Sequence, residues 1–198
     1  MASRINRAKE ILLQESEAIK NIPLDDHLET ALQWLGNCKG KVVASGMGKA
    51  GIIARKVAST FASTGTPAIF LHPGEAQHGD LGILGRKDLL LVFSNSGKTR
   101  EILELIFLAK QLHPEIKVIG ITSNPKAEIK QEVDLILNIG NMKEACPLEM
   151  APTTSTTAML ALGDVLCMLV MEEKGITKAD FEKRHHGGYL GEQIRRKK

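Results

Sequence analysis

Aromatic side chains are scarce in this sequence, which has one Trp and one Tyr in 198 residues. Proteins that bind single strands of nucleic acid stack bases on such rings, so their scarcity argues against that class. The net charge is only +3, and the basic residues are scattered apart from the run at 195–198. We interpret that run as a solvated tail. We therefore expect no nucleic-acid partner.

Cysteine is also sparse. The sequence has three cysteines, an odd number, at irregular spacing: Cys38, Cys146 and Cys167. No Cys-x-x-Cys motif occurs. This pattern argues against a structural zinc site and favours a reducing compartment. The N-terminus lacks the apolar stretch of a signal peptide. The longest apolar stretch, residues 158–171, carries Asp164 and is too short to span a bilayer. We expect a soluble, cytoplasmic protein with no membrane partner.

What the sequence does contain is a regular alternation of apolar strands and amphipathic helices. Strands are predicted at residues 41–45, 67–72, 88–94, 116–122 and 134–139. Helices are predicted at residues 5–19, 26–35, 50–64, 100–112, 126–133 and 153–174. Strands that are apolar throughout are typically buried on both faces. The pattern predicts one domain over residues 1–198, an α/β fold with a doubly wound five-stranded parallel sheet flanked by helices.

In such a fold, ligands bind beyond the carboxyl ends of the strands. Four segments are predicted to lie there, and they hold most of the Gly, Ser, Thr and His of the chain. They are SGMGK (45–49), HPGEAQHGD (72–80), SNSGKT (94–99) and GNMKEACPLEMAPTTSTT (140–157).

Two nucleotide-binding motifs are suggested by these loops, and neither fits. A phosphate-binding P-loop ending in Gly97-Lys98-Thr99 would need glycine where Val92 stands inside a strand. The glycines of residues 46–51 have dinucleotide-fingerprint spacing, but the following strand ends in His72 rather than in an acidic residue that would bind ribose. We expect neither ATP nor NAD.

The loop at 94–99 instead predicts a site for one phosphate monoester. Ser94, Ser96 and Thr99 supply hydroxyls, Gly97 allows close approach of the backbone, and a helix begins near Thr99 with free N–H groups. Ser96 acting as a helix N-cap is the simpler alternative. An N-cap accounts for one hydroxyl, but not for three that follow a buried strand within six residues.

These loops resemble those of the sugar isomerase (SIS) domain. The resemblance is to the D-arabinose 5-phosphate isomerases of that family, which supply Kdo for lipopolysaccharide biosynthesis, and it covers about residues 5–195. The motifs that carry it are GMGKAG, FASTGTPAIFLHPGEAQHGDLG, SNSGKTREI, KEACPLEMAPTTSTTAMLALGDVL and HHGGYLG. It implies interconversion of D-arabinose 5-phosphate and D-ribulose 5-phosphate through a cis-enediolate. It also implies a sugar phosphate as ligand, no cofactor and a homotetramer.

The resemblance implies four catalytic residues. Lys49 would meet a phosphate or an enediolate, and His185 would move protons and assist ring opening. Glu101 lies in the first turn of a helix, where favourable electrostatics alone would explain it equally well. Glu144 lies in a loop where we see no helical role for it, so we expect it to be the better base. The expected substrate-binding residues are Ser45, Gly46, Gly48, His78, Ser94, Asn95, Ser96, Gly97 and Thr99.

The sequence departs from the family pattern at two places. His186 stands where related sequences have Pro, which leaves open whether His185 or His186 enters the site, and the segment is expected to reach a neighbouring subunit. Lys98 stands where the family often has an acidic residue, and either strengthens anion binding or faces solvent. No metal is required, but His72, His78 and His185, together with Glu144, are candidates for an inhibitory zinc site.

Related isomerases continue into two CBS regulatory modules, and this sequence ends at Lys198. We expect no CBS domains, and feedback by Kdo or CMP-Kdo in the active site itself. Two alternatives to the isomerase stay open. One is a non-catalytic phosphosugar-binding module as in transcription regulators, although the first helices lack a basic recognition helix. The other is isomerisation of a different phosphosugar.

Overall fold

The computed structural model of the chain describes residues 3–185. Five strands form one parallel sheet in the order β2-β1-β3-β4-β5. The strands are β1 (Val42–Gly46), β2 (Ala68–Phe70), β3 (Leu89–Phe93), β4 (Lys117–Thr122) and β5 (Leu135–Asn138). The helices are α1 (Arg4–Lys20), α2 (Asp26–Gly36), α3 (Gly48–Ser63), α4 (Pro73–Ala76), α5 (Arg100–Leu112), α6 (Ile129–Glu132), α7 (Thr154–Glu173) and α8 (Lys178–Glu182). The predicted five-stranded parallel sheet is confirmed.

The differences from the predicted elements are confined to short segments. The predicted strand 67–72 is three residues long, and the predicted helix 126–133 forms only α6. Helices α4 and α8 and a 3₁₀ turn at Asp80–Ile83 were not predicted. The α8 signal was present in the sequence, since Thr177 and Asp180 form a reciprocal capping box at its start.

The two faces of the sheet are covered by different helices. Val42 and Ala44 of β1 pack into a core that includes residues of α3 and α7. Val43, which lies between them in the strand, packs with Ile102 and Leu105 of α5 on the other face. Since β1 and β3 are neighbours and their following helices lie on opposite faces, a crevice opens at their carboxyl ends.

Helix α7 is the central element of one core. By length and composition its 20 residues could cross a membrane, with a mean hydropathy of 1.6, but half of this apolar segment is buried inside the fold. Val57 of α3 fills the space beside Gly163, and the Cys167 thiol contacts the Val57 carbonyl. The close approach of α3 and α7 requires glycine at 163.

Candidate active site

The loop between β3 and α5 forms a cradle of hydroxyls and free N–H groups. The Ser94 and Thr99 hydroxyls are 2.9 Å apart, and Ser94 is buried. Thr99 is the residue before α5, and its side chain does not cap the helix. Within residues 3–185, the backbone N–H groups of Thr99, Arg100 and Glu101 have no acceptor. Such a helix start favours a bound anion.

The backbone of this loop is fixed by its neighbours. The Asn95 carbonyl accepts hydrogen bonds from the Ser123 backbone N–H and hydroxyl and from the Thr122 hydroxyl, at 2.9–3.2 Å. Gly97 has φ +66°, and a Cβ there would lie 2.8 Å from side-chain carbons of Ala127 and Ile129. The loop after β4 therefore holds the cradle open, and glycine is required at 97 for two independent reasons.

The first candidate, Lys49, lies beside this cradle. Gly46 at the end of β1 pairs with Phe93 at the end of β3, so the two loops that follow are adjacent. Gly48 has φ +57°, which favours glycine, and Lys49 is exposed in the first turn of α3. Within the described part of the chain, no carboxylate lies within 4.0 Å of its ammonium. Its charge is free to meet an anion.

Glu101 lies on the other side of the cradle, half-buried in the first turn of α5. Among residues 3–185 its carboxylate has neither a hydrogen-bond donor nor an ion-pair partner, unlike Glu104 one turn later, which contacts Arg100 and Gln77. The Gln77 amide donates to Glu104 at 2.7 Å, which ties the exposed His78 segment to α5. The unpaired carboxylate of Glu101 is available for proton transfer.

Glu144 is held far more tightly. Its carboxylate accepts hydrogen bonds from the backbone N–H and hydroxyl of Thr153, at 2.7 and 3.2 Å, and from the backbone N–H and hydroxyl of Ser155. Burial raises the pKa of Glu144, but these donors outweigh it and hold the pKa below its ordinary value. Glu144 is therefore ionised, and it is a weaker base than its loop position suggested.

The expectation that Glu144 has no helical role is wrong. Thr153 is the N-cap residue of α7, yet its side chain makes no capping bond to the helix. Its hydroxyl instead accepts from the Ala145 N–H at 3.1 Å, and the Glu144 carboxylate binds the free N–H groups of the first turn. An acidic residue nine positions upstream thus replaces the local cap.

Of the predicted binding residues, Ser45 is not placed for direct contact with a ligand. It is fully buried, and its hydroxyl donates to the Leu71 carbonyl at 2.7 Å. This bond joins the ends of β1 and β2. Gly46 is similarly structural, because a Cβ there would lie 2.8 Å from the Ala50 backbone. The remaining predicted residues, His78, Asn95, Ser96 and Gly97, lie in loops at the carboxyl edge.

His185 lies away from the other three catalytic candidates of its own chain. Helix α3 begins at the carboxyl edge and ends near Gly65 at the opposite, amino edge. A Cβ at Gly65 would lie 3.7 Å from the Arg184 guanidinium, and Lys174 donates to Thr66 at 2.9 Å. His185 stacks on Phe181 with ring centroids 4.0 Å apart. One chain alone therefore does not assemble all four groups. His186 lies outside the described residues.

The predicted zinc ligands are likewise not gathered. Over residues 3–185, no three His, Cys, Asp or Glu side chains are close enough to hold a metal ion. His72 and His78 lie at the carboxyl edge and His185 at the amino edge, which is the physical reason.

Of the two alternatives for Lys98, the structure favours the surface, since its ammonium lies 3.8 Å from Glu128. It pairs with a neighbouring loop instead of lining the cradle.

Several residues near the site were missed by the sequence reasoning. A cleft of about 560 Å³ lies between α1 and the loop that carries Glu144, and both line it. Gln14 and Arg7 of α1 donate to the Lys143 and Ala145 carbonyls, at 2.7 and 3.1 Å. Nothing in the sequence of α1 distinguishes these side chains from ordinary surface residues, so only the tertiary contact identifies them.

A second cleft adjoins the glycine loop after β1. Arg55 lies over the Phe70 ring at 4.7 Å, and His72 lines the same cleft of about 400 Å³. The Nδ1 atom of His72 is buried without a hydrogen-bond partner among the described residues. This cleft extends the crevice towards β2.

The chain as a whole is similar to known proteins. The family model described as "SIS domain" matches residues 35–169. The chain is 43% identical over 199 residues to an arabinose 5-phosphate isomerase of Francisella tularensis, covering 98% of this chain and 60% of that protein. The chain therefore spans about three fifths of the length of this curated relative.

Two solved structures are also similar. A putative phosphosugar isomerase involved in capsule formation from Bacteroides fragilis is 51% identical, with a TM-score of 0.91 over 93% of this chain and 98% of that one. An Escherichia coli CFT073 protein in complex with arabinose 5-phosphate is 39% identical, with a TM-score of 0.85 over 89% of this chain and 94% of that one.

Proposed function

The chain belongs to the SIS domain family, and from this premise we propose that it is an isomerase that interconverts D-arabinose 5-phosphate and D-ribulose 5-phosphate. The observation that carries the proposal is the cradle at residues 94–99, flanked at the crevice by Lys49 and Glu101, neither of which has an ion-pair partner within residues 3–185. The similar proteins named as arabinose 5-phosphate isomerases, or bound to arabinose 5-phosphate, support the choice of pentose phosphate. Arabinose 5-phosphate made in this way would feed Kdo and lipopolysaccharide biosynthesis.

The cradle would bind the phosphate. The Ser96 hydroxyl and one of the mutually bonded Ser94 and Thr99 hydroxyls donate to phosphate oxygens. The free N–H groups at the start of α5 add charge-assisted hydrogen bonds. A few hydroxyls beside one uncapped helix start suit one phosphate monoester. The sugar then extends towards the β1 loop and Lys49.

Proton transfer needs a base close to C1 and C2 of the open-chain sugar. We assign this role to Glu101, because its carboxylate has no partner in the described part of the chain and lies two residues after the cradle. It removes the C2 proton of the aldose, and the electrons form the C1–C2 double bond of the enediolate. After the carboxyl proton has exchanged with solvent, Glu101 delivers a proton to C1 to give the ketose. O1 gains a proton and O2 loses one in the same sequence.

Three further groups would assist. Lys49 stabilises the negative charge of the enediolate, which is greater in the transition state than in the substrate. Glu144, fixed and ionised, orients a sugar hydroxyl. His185 of a neighbouring subunit shuttles protons between the oxygens and assists ring opening. No cofactor takes part in these steps.

We propose a homotetramer in the cytoplasm. Helix α1 has no buried residue, and its Ile5, Leu12 and Leu13 are 61–68% exposed. An apolar helix face of this kind is typical of a subunit interface. Neighbouring subunits would bring His185 to the crevice.

Feedback by Kdo or CMP-Kdo stays a prediction, to be tested by competition with the pentose phosphate.

The deciding experiment is incubation of the purified chain with arabinose 5-phosphate in D₂O, followed by NMR. Formation of ribulose 5-phosphate with deuterium at C1 is expected. Ribose 5-phosphate and hexose 6-phosphates tested in parallel would reveal another phosphosugar as substrate. Saturable binding of arabinose 5-phosphate without interconversion would instead favour a non-catalytic binding module.

A further inference from the structure

Another cleft lies at the amino edge of the sheet, opposite the candidate active site. It has a volume of about 490 Å³. It is lined by side chains from α2, from the segment before β3 and from the start of β4, among them Trp34, Lys39, Arg86, Lys87 and Lys117. None of these residues was singled out by the sequence motifs.

The two sites are separated by the length of a strand. Leu89 at the start of β3 lines this cleft, and Ser94 in the phosphate cradle follows the end of the same strand. At about 3.3 Å per residue, the distance between them is about 16 Å. A small ligand bound at one edge therefore leaves the other edge accessible, and nothing at this cleft depends on the proposed isomerase activity.

The cleft carries an excess of positive charge. Within residues 3–185, no carboxylate lies within 4.0 Å of the cationic groups of Lys39, Arg86, Lys87 or Lys117. The other charged members of the lining are two acidic residues, Asp88 and Glu115. Four unpaired cations around one concave surface produce a field that attracts anions.

Asp88 does not cancel this charge. Its carboxylate accepts hydrogen bonds from the Lys41 ammonium at 2.6 Å, from the Lys41 N–H at 2.9 Å and from the Gly85 N–H at 2.8 Å. Burial raises the pKa of Asp88, but the bonds to Lys41 and Gly85 outweigh it and keep the carboxyl ionised. The Lys41 ammonium outside the lining neutralises it, so Glu115 alone opposes the four cations.

The lining of the cleft includes the one tryptophan of the sequence. Trp34 is half-buried and packs on the core that includes Leu35 and Leu89. The Lys117 ammonium lies 5.3 Å from the centroid of its ring. A cation and a flat apolar ring in contact can bind a ligand that has both a negative group and a planar ring, by ion pairing and stacking together.

We propose that this cleft is a binding site for small anions that carry a planar ring, of which nucleoside monophosphates are the simplest class. The phosphate contacts Lys117, Arg86 and the neighbouring lysines, and the base stacks on the exposed part of Trp34. The volume of about 490 Å³ is within the range of small-molecule sites.

Trp34 provides a direct test, since its fluorescence reports this cleft alone. The full chain is titrated with AMP, adenosine and inorganic phosphate while indole emission is recorded. AMP is expected to change the emission saturably. Adenosine lacks the phosphate and inorganic phosphate lacks the planar ring. Each is therefore expected to bind at least roughly tenfold more weakly than AMP, a factor that corresponds to about 1.4 kcal/mol.

Matched charge variants separate a site from general attraction of anions. The double variant Arg86→Ala/Lys117→Ala should weaken AMP binding by roughly tenfold or more, while Lys126→Ala/Lys130→Ala, which removes the same charge elsewhere on the surface, should change it less than about twofold. Circular dichroism checks that both variants fold. The proposal is overturned if AMP leaves the emission unchanged at millimolar concentration. It is equally overturned if both pairs weaken binding alike, or if arabinose 5-phosphate displaces AMP.

Discussion

The Thr153 backbone N–H donates a 2.7 Å hydrogen bond to the Glu144 carboxylate, across nine residues of chain. This bond makes Glu144 the cap of α7 as well as a candidate site residue. One side chain therefore links the stability of the central helix to the geometry of the crevice.

Replacement of Glu144 by Gln is expected to destabilise the protein by about 1 kcal/mol at neutral pH, because a charged helix cap is lost. The folded-state pKa of Glu144 is lowered. Its contribution is therefore present above the ordinary glutamate pKa and is lost as pH falls through the lower folded-state value. Urea unfolding at neutral and acidic pH should show that the wild type loses more stability on acidification than Glu144→Gln.

The control for this experiment is Glu149→Gln in the same loop. Glu149 is exposed and forms a surface ion pair with Lys143 at 3.3 Å, so its loss should change the free energy of unfolding by less than about 0.5 kcal/mol. An equal acid sensitivity of wild type and Glu144→Gln would contradict the capping role.

The second prediction concerns the proposed base. Glu101→Gln should lower kcat by at least roughly a hundredfold with little change in KM, since the amide cannot accept the proton. Glu104→Gln on the same helix is the matched control, and its kcat should be close to that of the wild type. If Glu101→Gln retains normal turnover, the base lies elsewhere and Glu144 becomes the first alternative.

The third prediction tests whether His185 serves a neighbouring subunit. His185→Ala and Glu101→Gln should each be inactive alone. When the two are unfolded, mixed in equal amounts and refolded together, about a quarter of the sites should contain both intact residues. The mixture should therefore recover about a quarter of the wild-type activity.

Two controls keep the third result interpretable. His185→Ala mixed with the double variant Glu101→Gln/His185→Ala should recover nothing, because no chain in that mixture carries the histidine. His186→Ala alone tests the other imidazole. If His185→Ala is fully active and His186→Ala is inactive, His186 is the residue that moves protons in the site.

The fourth prediction is that Gly97→Ala damages both the fold and phosphate binding. Its φ of +66° and the 2.8 Å approach of Ala127 and Ile129 to the new Cβ should cost about 1–3 kcal/mol. KM for the sugar phosphate should rise. At Gly82 no atom lies within 4 Å of a new Cβ, so Gly82→Ala is the control. Equal effects of the two substitutions would show that the cradle tolerates a side chain.

The sheet and the phosphate cradle could be predicted from the sequence because their signals are local. An apolar run such as residues 88–94 is read directly as a buried strand, and the hydroxyls and Gly97 follow it at once. Because ligands of such folds bind beyond the carboxyl ends of the strands, the loop after this strand is then assigned to the binding site. For the same reason α5 matches its predicted bounds, Arg100–Leu112.

The roles of Glu144 and Ser45 could not be predicted, because each depends on a contact distant in sequence. Glu144 is nine to eleven residues from its donors, and Ser45 is 26 residues from the Leu71 carbonyl. Local patterns show that these polar residues lie near a strand end. They do not show whether a hydroxyl faces the crevice or the backbone of the next strand.

The division of the helices between the two faces has a mechanical consequence. Glu101 lies in the first turn of a helix on one face of the sheet, and Glu144 is anchored to the first turn of a helix on the other. The five strands therefore act as a rigid spacer that sets the separation of the two carboxylates. Loosening of the α3–α7 contact at Gly163 would shift one carboxylate relative to the other while the phosphate cradle stays intact. On heating, turnover should then fail at a lower temperature than sugar-phosphate binding.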